Sequence, residues 1–244
     1  MCAAFLLPTQ KVLADPSLNQ AAYKKGTESY LFGHRSIPNM KIIDAPFDTD
    51  WDRWAMLHDG SVYRLYFFKH GSSDTLYQFG FNRELSAYQY GYQSIPILRI
   101  TGAPTDVDSS RFVMLHDGRD YRLYMPRRGV SSSLYQFAFN RASNDYEYGF
   151  NSIKELKIMG MPADADWRRI GMLHDGANYR FYAMKQGSDK QFYQAAFNRA
   201  SNHYEYRFRS IPLLNLVGMP NNSNSQSFAM LHDGANYRFY FLSY

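Results

Sequence analysis

Met56-Leu57-His58-Asp59-Gly60 returns as Met114–Gly118, Met172–Gly176 and Met230–Gly234. Each step is 58 residues (114 minus 56, 172 minus 114, 230 minus 172), so no insertion or deletion breaks the register. Two further anchors keep the same period. One is Gln78, Gln136 and Gln194 within Tyr-Gln-x-x-Phe-Asn-Arg; the other is Ser94-Ile95, Ser152-Ile153 and Ser210-Ile211. A fixed period of this length marks a fold assembled from one supersecondary unit that cannot bury its apolar face alone.

The N-terminal stretch belongs to the same register. Gln20 lies 58 residues before Gln78 (78 minus 20), and Ser36-Ile37-Pro38 matches Ser94-Ile95-Pro96. The chain therefore enters midway through a unit and stops midway through another, at Tyr237 to Tyr244. In a ring, the first strands complete the last unit and no sheet edge stays open. Within the third repeat, Arg169 to His174 runs into the turn pair Asp175-Gly176. Tyr179 to Met184 and Gln191 to Asn198 are aromatic-rich strands, and Ala200-Ser201-Asn202 is turn chemistry. Tyr204, Tyr206 and Phe208 alternate with charged residues as a fourth strand, and Ile211 to Pro220 crosses to the next unit. The expected fold is all-β: a four-bladed propeller of four-stranded antiparallel blades, closed by pairing of the N- and C-terminal strands in one blade. Residues 13–244 form one propeller domain, with the split blade made of 13–45 and 220–244, and residues 1–12 are an N-terminal extension in surplus of the repeat.

Composition agrees with sheet. Aromatic residues are 17% of the chain, and aromatic side chains suit a pleated, half-buried surface. The single cysteine, Cys2, excludes an intrachain disulfide, so packing must hold the fold. The formal charge of +5 favours encounter with an anionic partner without naming one. Lys and Arg are scattered instead of forming a stripe, which argues against nucleic acid. No apolar run is long enough to span a membrane, and Ala3 to Leu7 has no basic segment before it, so the chain reads as soluble without a clear signal peptide.

The unit resembles a hemopexin-type propeller repeat. The resemblance is carried by the Gly-x-Pro that closes each crossover (Gly102-Ala103-Pro104, Gly160-Met161-Pro162, Gly218-Met219-Pro220), the Asp59-Gly60 turn and the aromatic second strand Tyr66-Phe67-Phe68. It implies a binding module whose relatives take haem, metal ions, polyamines or protein partners. Members of that family usually tie the first and last blades with a disulfide, which this chain cannot make.

Three recurrent polar sets are candidates for chemistry. His58, His116, His174 and His232 could ring one mouth of the axis and hold a metal ion or haem. Asp59, Asp117, Asp175 and Asp233 follow them, and an Asp-Gly turn with a histidine packed beside it also accounts for the pattern without any ligand. Arg64, Arg122, Arg180 and Arg238 recur near Gln78, Gln136 and Gln194, either as a buried ladder paired with the repeated Asp or as a polar pocket. Asn82-Arg83, Asn140-Arg141 and Asn198-Arg199 could hydrogen-bond sugar hydroxyls, with Tyr88, Tyr146 and Tyr204 as stacking faces. The same residues also suit an ordinary turn.

No phosphate-cradling loop, zinc spacing or recurrent pair of carboxylates appears, and no nucleophile recurs beside the His-Asp pair, so the chain reads as a binding module and not an enzyme. Polar residues that recur around a ring suit a multivalent binder of a repetitive target. The leading expectation is a lectin-like propeller for glycans or cell-surface carbohydrate, without cofactor. The alternatives are an axial binder of haem, metal ion or small ligand, and a protein-interaction scaffold.

Overall fold

Strand signals repeated in sequence become strands repeated in space. The computed structural model describes residues 16–244; the expected 1–12 extension lies outside them. The chain begins with β1 (Ser17–Lys24), β2 (Ser29–Phe32) and β3 (Lys41–Ile43). A first full unit follows: β4 (Thr49–His58), β5 (Tyr63–Lys69), β6 (Thr75–Asn82), β7 (Ala87–Tyr90) and β8 (Ile97–Thr101). The second unit holds β9 (Val113–His116), β10 (Tyr121–Arg127), β11 (Val130–Asn140), β12 (Asp145–Tyr148) and β13 (Glu155–Met159). The third holds β14 (Ala165–His174), β15 (Tyr179–Lys185), β16 (Gln191–Asn198), β17 (His203–Tyr206) and β18 (Leu213–Val217). The chain ends on β19 (Ser223–His232) and β20 (Tyr237–Ser243). The described residues are all-β, and no helix is present that could cross a membrane.

In the first unit β4, β5 and β6 pair antiparallel in order. The fourth position is shared: β7 pairs with the end of β6 (Phe79 opposite Tyr90), and the crossover strand β8 pairs with its start (Leu76 opposite Leu98). The second and third units repeat this pattern. The two chain ends make the fourth unit together. β19 pairs with β20, β20 with β1 (Ser17 opposite Ser243, Arg238 opposite Ala22), and β1 with β2. Leu18 bridges to Met40 just as Leu76 bridges to Leu98. Parallel links then join neighbouring units: β8 to β12, β13 to β17, β18 to β2 and β3 to β7. The first strands also touch in succession, β4 with β9, β9 with β14, β14 with β19 and β19 with β4.

The core lies between units and not within them. Each of four apolar clusters draws on two neighbours; Leu57, Phe68 and Leu76 of the first unit meet Met114, Leu123 and Phe137 of the second. Each sheet is thus buried on both faces, which explains why strands such as β5 read as near-continuous apolar runs after their first two residues. A unit cut out alone would expose both faces.

One position shows how far the repeats have diverged. Ala138, Ala196 and Ala22 occupy the place of Gly80, so Gly80→Ala looks conservative by sequence. A Cβ on Gly80 would lie 2.1 Å from the Tyr92 carbonyl oxygen, a backbone atom, so the 91–96 loop would have to move. Gly80→Ala is expected to destabilise the fold by about 2 kcal/mol, an overpacking penalty, read as a lower urea midpoint. An unchanged midpoint would show that the loop yields freely.

Candidate functional site

The Asp-Gly turn is the corner from which the site is built. In all four copies the Asp carboxylate accepts the two following turn N–H groups through Oδ1, at 3.0 and 2.7 Å. Its Oδ2 accepts the guanidinium five residues on: Arg64 at 3.4 Å, Arg122 at 2.8 Å, Arg180 at 2.9 Å, and Arg238 likewise. Each Arg thus pairs with the Asp of its own hairpin, within one unit and not as a ladder between units. These pairs are largely buried, with Asp175 3% and Arg180 15% exposed. A second guanidinium nitrogen donates to the carbonyl of Gln93, Asn151, Arg209 or Arg35 on the loop before the crossover strand.

The glutamine next to each arginine is a clamp. Gln78 donates to Tyr66 Oη at 2.6 Å and accepts the Ile95 N–H at 2.8 Å. Gln136 does the same with Tyr124 and Ile153, Gln194 with Tyr182 and Ile211, and Gln20 with Tyr240 and Ile37. It pins the loop that carries the isoleucine and leaves no polar group of its own idle.

The next unit supplies an aromatic wall. Tyr121 meets Phe139 edge-on, and Phe139 packs on Tyr146. Tyr179, Phe197 and Tyr204 repeat this, as do Tyr63, Phe81 and Tyr88, and Tyr237, Tyr23 and Tyr30. Tyr121 also donates to Asp59 across the gap at 3.1 Å, and Tyr237 to Asp175 at the same distance. Between the Arg-Gln side and the aromatic wall lies a pocket, and each of the four junctions has one. Their open volumes are about 210 Å³ (first and second units), 240 Å³ (second and third), 420 Å³ (third and fourth) and 100 Å³ (fourth and first).

Electrostatics fix the protonation states. Burial alone would raise the Asp59 carboxyl, but the N–H groups of Val62 and Ser61, the Ser61 hydroxyl and the Tyr121 hydroxyl bring it down to about 2. Asp175 also reaches about 2, burial being outweighed by the Asn178 N–H, the Arg180 guanidinium and the Ala177 N–H. Asp117 and Asp233 are lowered in the same way. The Asp is thus an anion paired with a cation, and each pocket meets its ligand with that charge already cancelled.

Nothing beyond this geometry comes from known proteins. No family model matches the chain, and no curated protein matches it. Among solved structures, it is similar to the six-bladed fungal lectin of Aleuria aurantia at 12% identity, over 94% of this chain and 72% of that one, with a TM-score of 0.39. An exo-β-1,3-galactanase from Phanerochaete chrysosporium matches at 10% identity over 83% of the chain, with a TM-score of 0.38. A putative 6-phosphogluconolactonase from Bacteroides fragilis matches at 12% identity over 78%, with a TM-score of 0.33. The chain spans only 48% of the galactanase and 50% of the lactonase.

The sequence-predicted residues divide three ways. Arg64, Arg122, Arg180 and Arg238 line the four pockets. Asn82, Asn140 and Asn198 do not: each donates to the side chain of residue 89, 147 or 205 on the next strand, and each accepts an N–H of its own turn. Arg83, Arg141 and Arg199 are exposed beyond the pockets, close enough for their charge to be felt by Tyr63, Tyr121 and Tyr179. Tyr88, Tyr146 and Tyr204 are each 1% exposed, so they floor the pockets and offer no open stacking face. That face belongs to Tyr63, Tyr121, Tyr179 and Tyr237, which sequence reading passed over although they recur at the same 58-residue step (121 minus 63).

The histidines back that tyrosine. His58 stacks on Tyr63 with ring centroids 4.2 Å apart, and His174 on Tyr179 at 4.4 Å. His116 and His232 hold Tyr121 and Tyr237 at 5.0 and 4.7 Å. Burial lowers the His58 and His174 pKa values, so both rings are neutral at pH 7. The four do line one common space, but it is about 10 Å³, room for a single water. No group of three His, Cys, Asp or Glu among the described residues is placed to hold a metal ion. The four histidines fit neither haem nor a metal ion.

Proposed function

We propose that the four units stand round one axis as a four-bladed propeller, closed by β1 and β20, and that each junction pocket takes one sugar ring. One observation carries this reading: the same polar-aromatic pocket is built four times, from the same positions of the repeat. The half-exposed Tyr and its edge-packed aromatic partner offer a flat apolar wall for the C–H face of a pyranose. Opposite stands a guanidinium with two or three of its five donors engaged by the protein, leaving N–H groups for hydroxyl oxygens. Because Asp already neutralises Arg, the site favours an uncharged ligand with many acceptors. Clefts for drug-sized ligands run to about 300–1,000 Å³, so most of these four suit something smaller.

The pockets are binders and not catalysts. Hydrolysis of a glycoside needs two carboxyl groups flanking the bond. Two of the pockets are lined by one, Asp117 or Asp233, and in all four the nearby Asp is engaged by turn N–H groups and an arginine, held too acidic at Asp59 and Asp175 to pass a proton near pH 7. The Gly-x-Pro crossovers support the architecture: Gly102, Gly160 and Gly218 take φ of 67°, 73° and 76°, a conformation open to glycine.

Weak single sites gain from repetition when the target is itself repeated. The chain is expected to bind a glycan array and to agglutinate red cells, with agglutination reversed by millimolar free sugar. A blank array together with no agglutination would overturn the reading.

A further inference from the structure

The four pockets are alike in plan but differ in charge: in the second unit Asp120 adds a second carboxylate to Arg122, and in the third an extra cation stands at the rim. At the position whose carbonyl receives the pocket arginine, the first and second units carry Gln93 and Asn151, and the third carries Arg209. Arg209 is among the residues lining the pocket between the third and fourth units, as Gln93 and Asn151 are in theirs, and at about 420 Å³ this pocket is the roomiest of the four. It rests over the Phe208 ring at 5.4 Å and meets no carboxylate at ion-pair distance among the described residues. Arg35 holds the matching place in the fourth unit, but its side chain is not among the residues that line the smaller space there.

Two other differences fall on the same pocket. Tyr23 stands where the other three walls have Phe81, Phe139 and Phe197, adding a hydroxyl to the aromatic side. The Ser210 hydroxyl is buried there without a hydrogen-bond partner, a feature shared with Ser36 in the fourth unit, whereas Ser94 and Ser152 each reach the carbonyl of their own unit's glutamine at 3.4 Å. The charged groups at the pocket are Arg180, paired with Asp175, and Arg209, which meets no carboxylate among the described residues, with Glu28 close enough for its field to reach Tyr23.

We propose that this pocket selects a sugar carrying an anionic group, a carboxylate or a sulfate ester, while the other three accept neutral rings. The inference rests on the carbohydrate reading above. Arg209 would take the anion at the rim, where its planar fork matches two oxygens. Tyr23 and Ser210 would supply neutral donors deeper in.

The test is a titration of the intact chain with methyl β-glucoside, methyl β-glucuronide and glucose 6-sulfate at low and high salt. One site in four is expected to prefer an anionic sugar by about tenfold at low salt, as charge-assisted hydrogen bonds at a partly exposed site allow, and to lose most of that preference at high salt. Preference for the glucuronide alone assigns a carboxylate, and for the sulfate alone a sulfate ester. Arg209→Gln should abolish the preference and leave neutral binding at the other three junctions intact. The substitution is safe for the backbone, because Gln93 already holds the same left-handed φ (44° against 43°) in the first unit. Anion preference that is absent, is spread over all sites, or survives Arg209→Gln would overturn the inference while neutral binding kept the carbohydrate reading alive. No binding of any of the three sugars would remove the inference, and the carbohydrate reading would fall with it only if the array were blank as well.

Discussion

A chain carrying Ser17→Cys and Ser243→Cys, with Cys2→Ser to avoid mispairing, is expected to close a disulfide and melt about 10 °C higher when oxidised than when reduced. Ser17 lies opposite Ser243 in the β1–β20 pair, and their Oγ atoms are 2.9 Å apart. The two positions are 226 residues apart in sequence, so the cross-link removes a large share of unfolded-chain freedom. For so long a loop the chain-entropy estimate is about 5 kcal/mol, of which engineered disulfides deliver part. At about 2–4 °C per kcal/mol for a protein of this size, a gain near 3–4 kcal/mol gives the stated shift. The bond would do for this chain what the hemopexin-type resemblance leads one to look for and Cys2 alone cannot provide. Thiols that stay free in the folded, oxidised protein would show that the two ends do not meet.

Arg180→Met should destabilise the fold by about 3 kcal/mol and move acid unfolding to higher pH. The substitution leaves Asp175, only 3% exposed, without its cation, and removing one partner of a buried pair exacts the desolvation of the other. Asp175 keeps the N–H groups of Ala177 and Asn178 and the Tyr237 hydroxyl, which holds the loss to the lower end of the usual range. The sign of the pH effect follows from linkage. Asp59 and Asp175 are held at about 2, below the ordinary 3.8, so the stability they contribute is complete above pH ~4 and is lost as pH falls through 2. Each contributes roughly 2 kcal/mol. Without Arg180 the Asp175 carboxyl takes its proton at higher pH, and the acid midpoint followed by near-ultraviolet circular dichroism should rise. An acid midpoint equal to that of the parent chain would refute the charge pairing as a source of stability.

The repeat made much of this legible. A strict 58-residue period carries the strand pattern from unit to unit, and the out-of-phase ends, Gln20 and Tyr237, foretold that β1 would lie against β20. The Asp-Arg pairing could be read because a recurrent cation needs a recurrent anion. The pockets themselves could not, because each is made by two units. Tyr121 lies 62 residues from the Asp59 it bonds, more than one full period, so no window within a single repeat contains both sides. Asn82 and Tyr88 misled for the opposite reason. They are neighbours in sequence and looked like a rim, but Asn82 closes its own turn and Tyr88 points into the core, where the pleat sends it. The recurrent histidines allowed both a ligand ring and packing beside the Asp-Gly turn, and their stacking on tyrosine is the packing role.

The most direct test of binding at the junctions is calorimetric titration with a neutral monosaccharide chosen from the array. The parent chain should bind three equivalents at the junctions lined by Tyr63, Tyr121 and Tyr179, with the third–fourth junction taking the neutral sugar more weakly, and replacing Tyr121, Tyr179 and Tyr63 by Ala one after another should remove one equivalent at each step. A single equivalent, or a stoichiometry indifferent to all three changes, would place the ligand somewhere other than between the units.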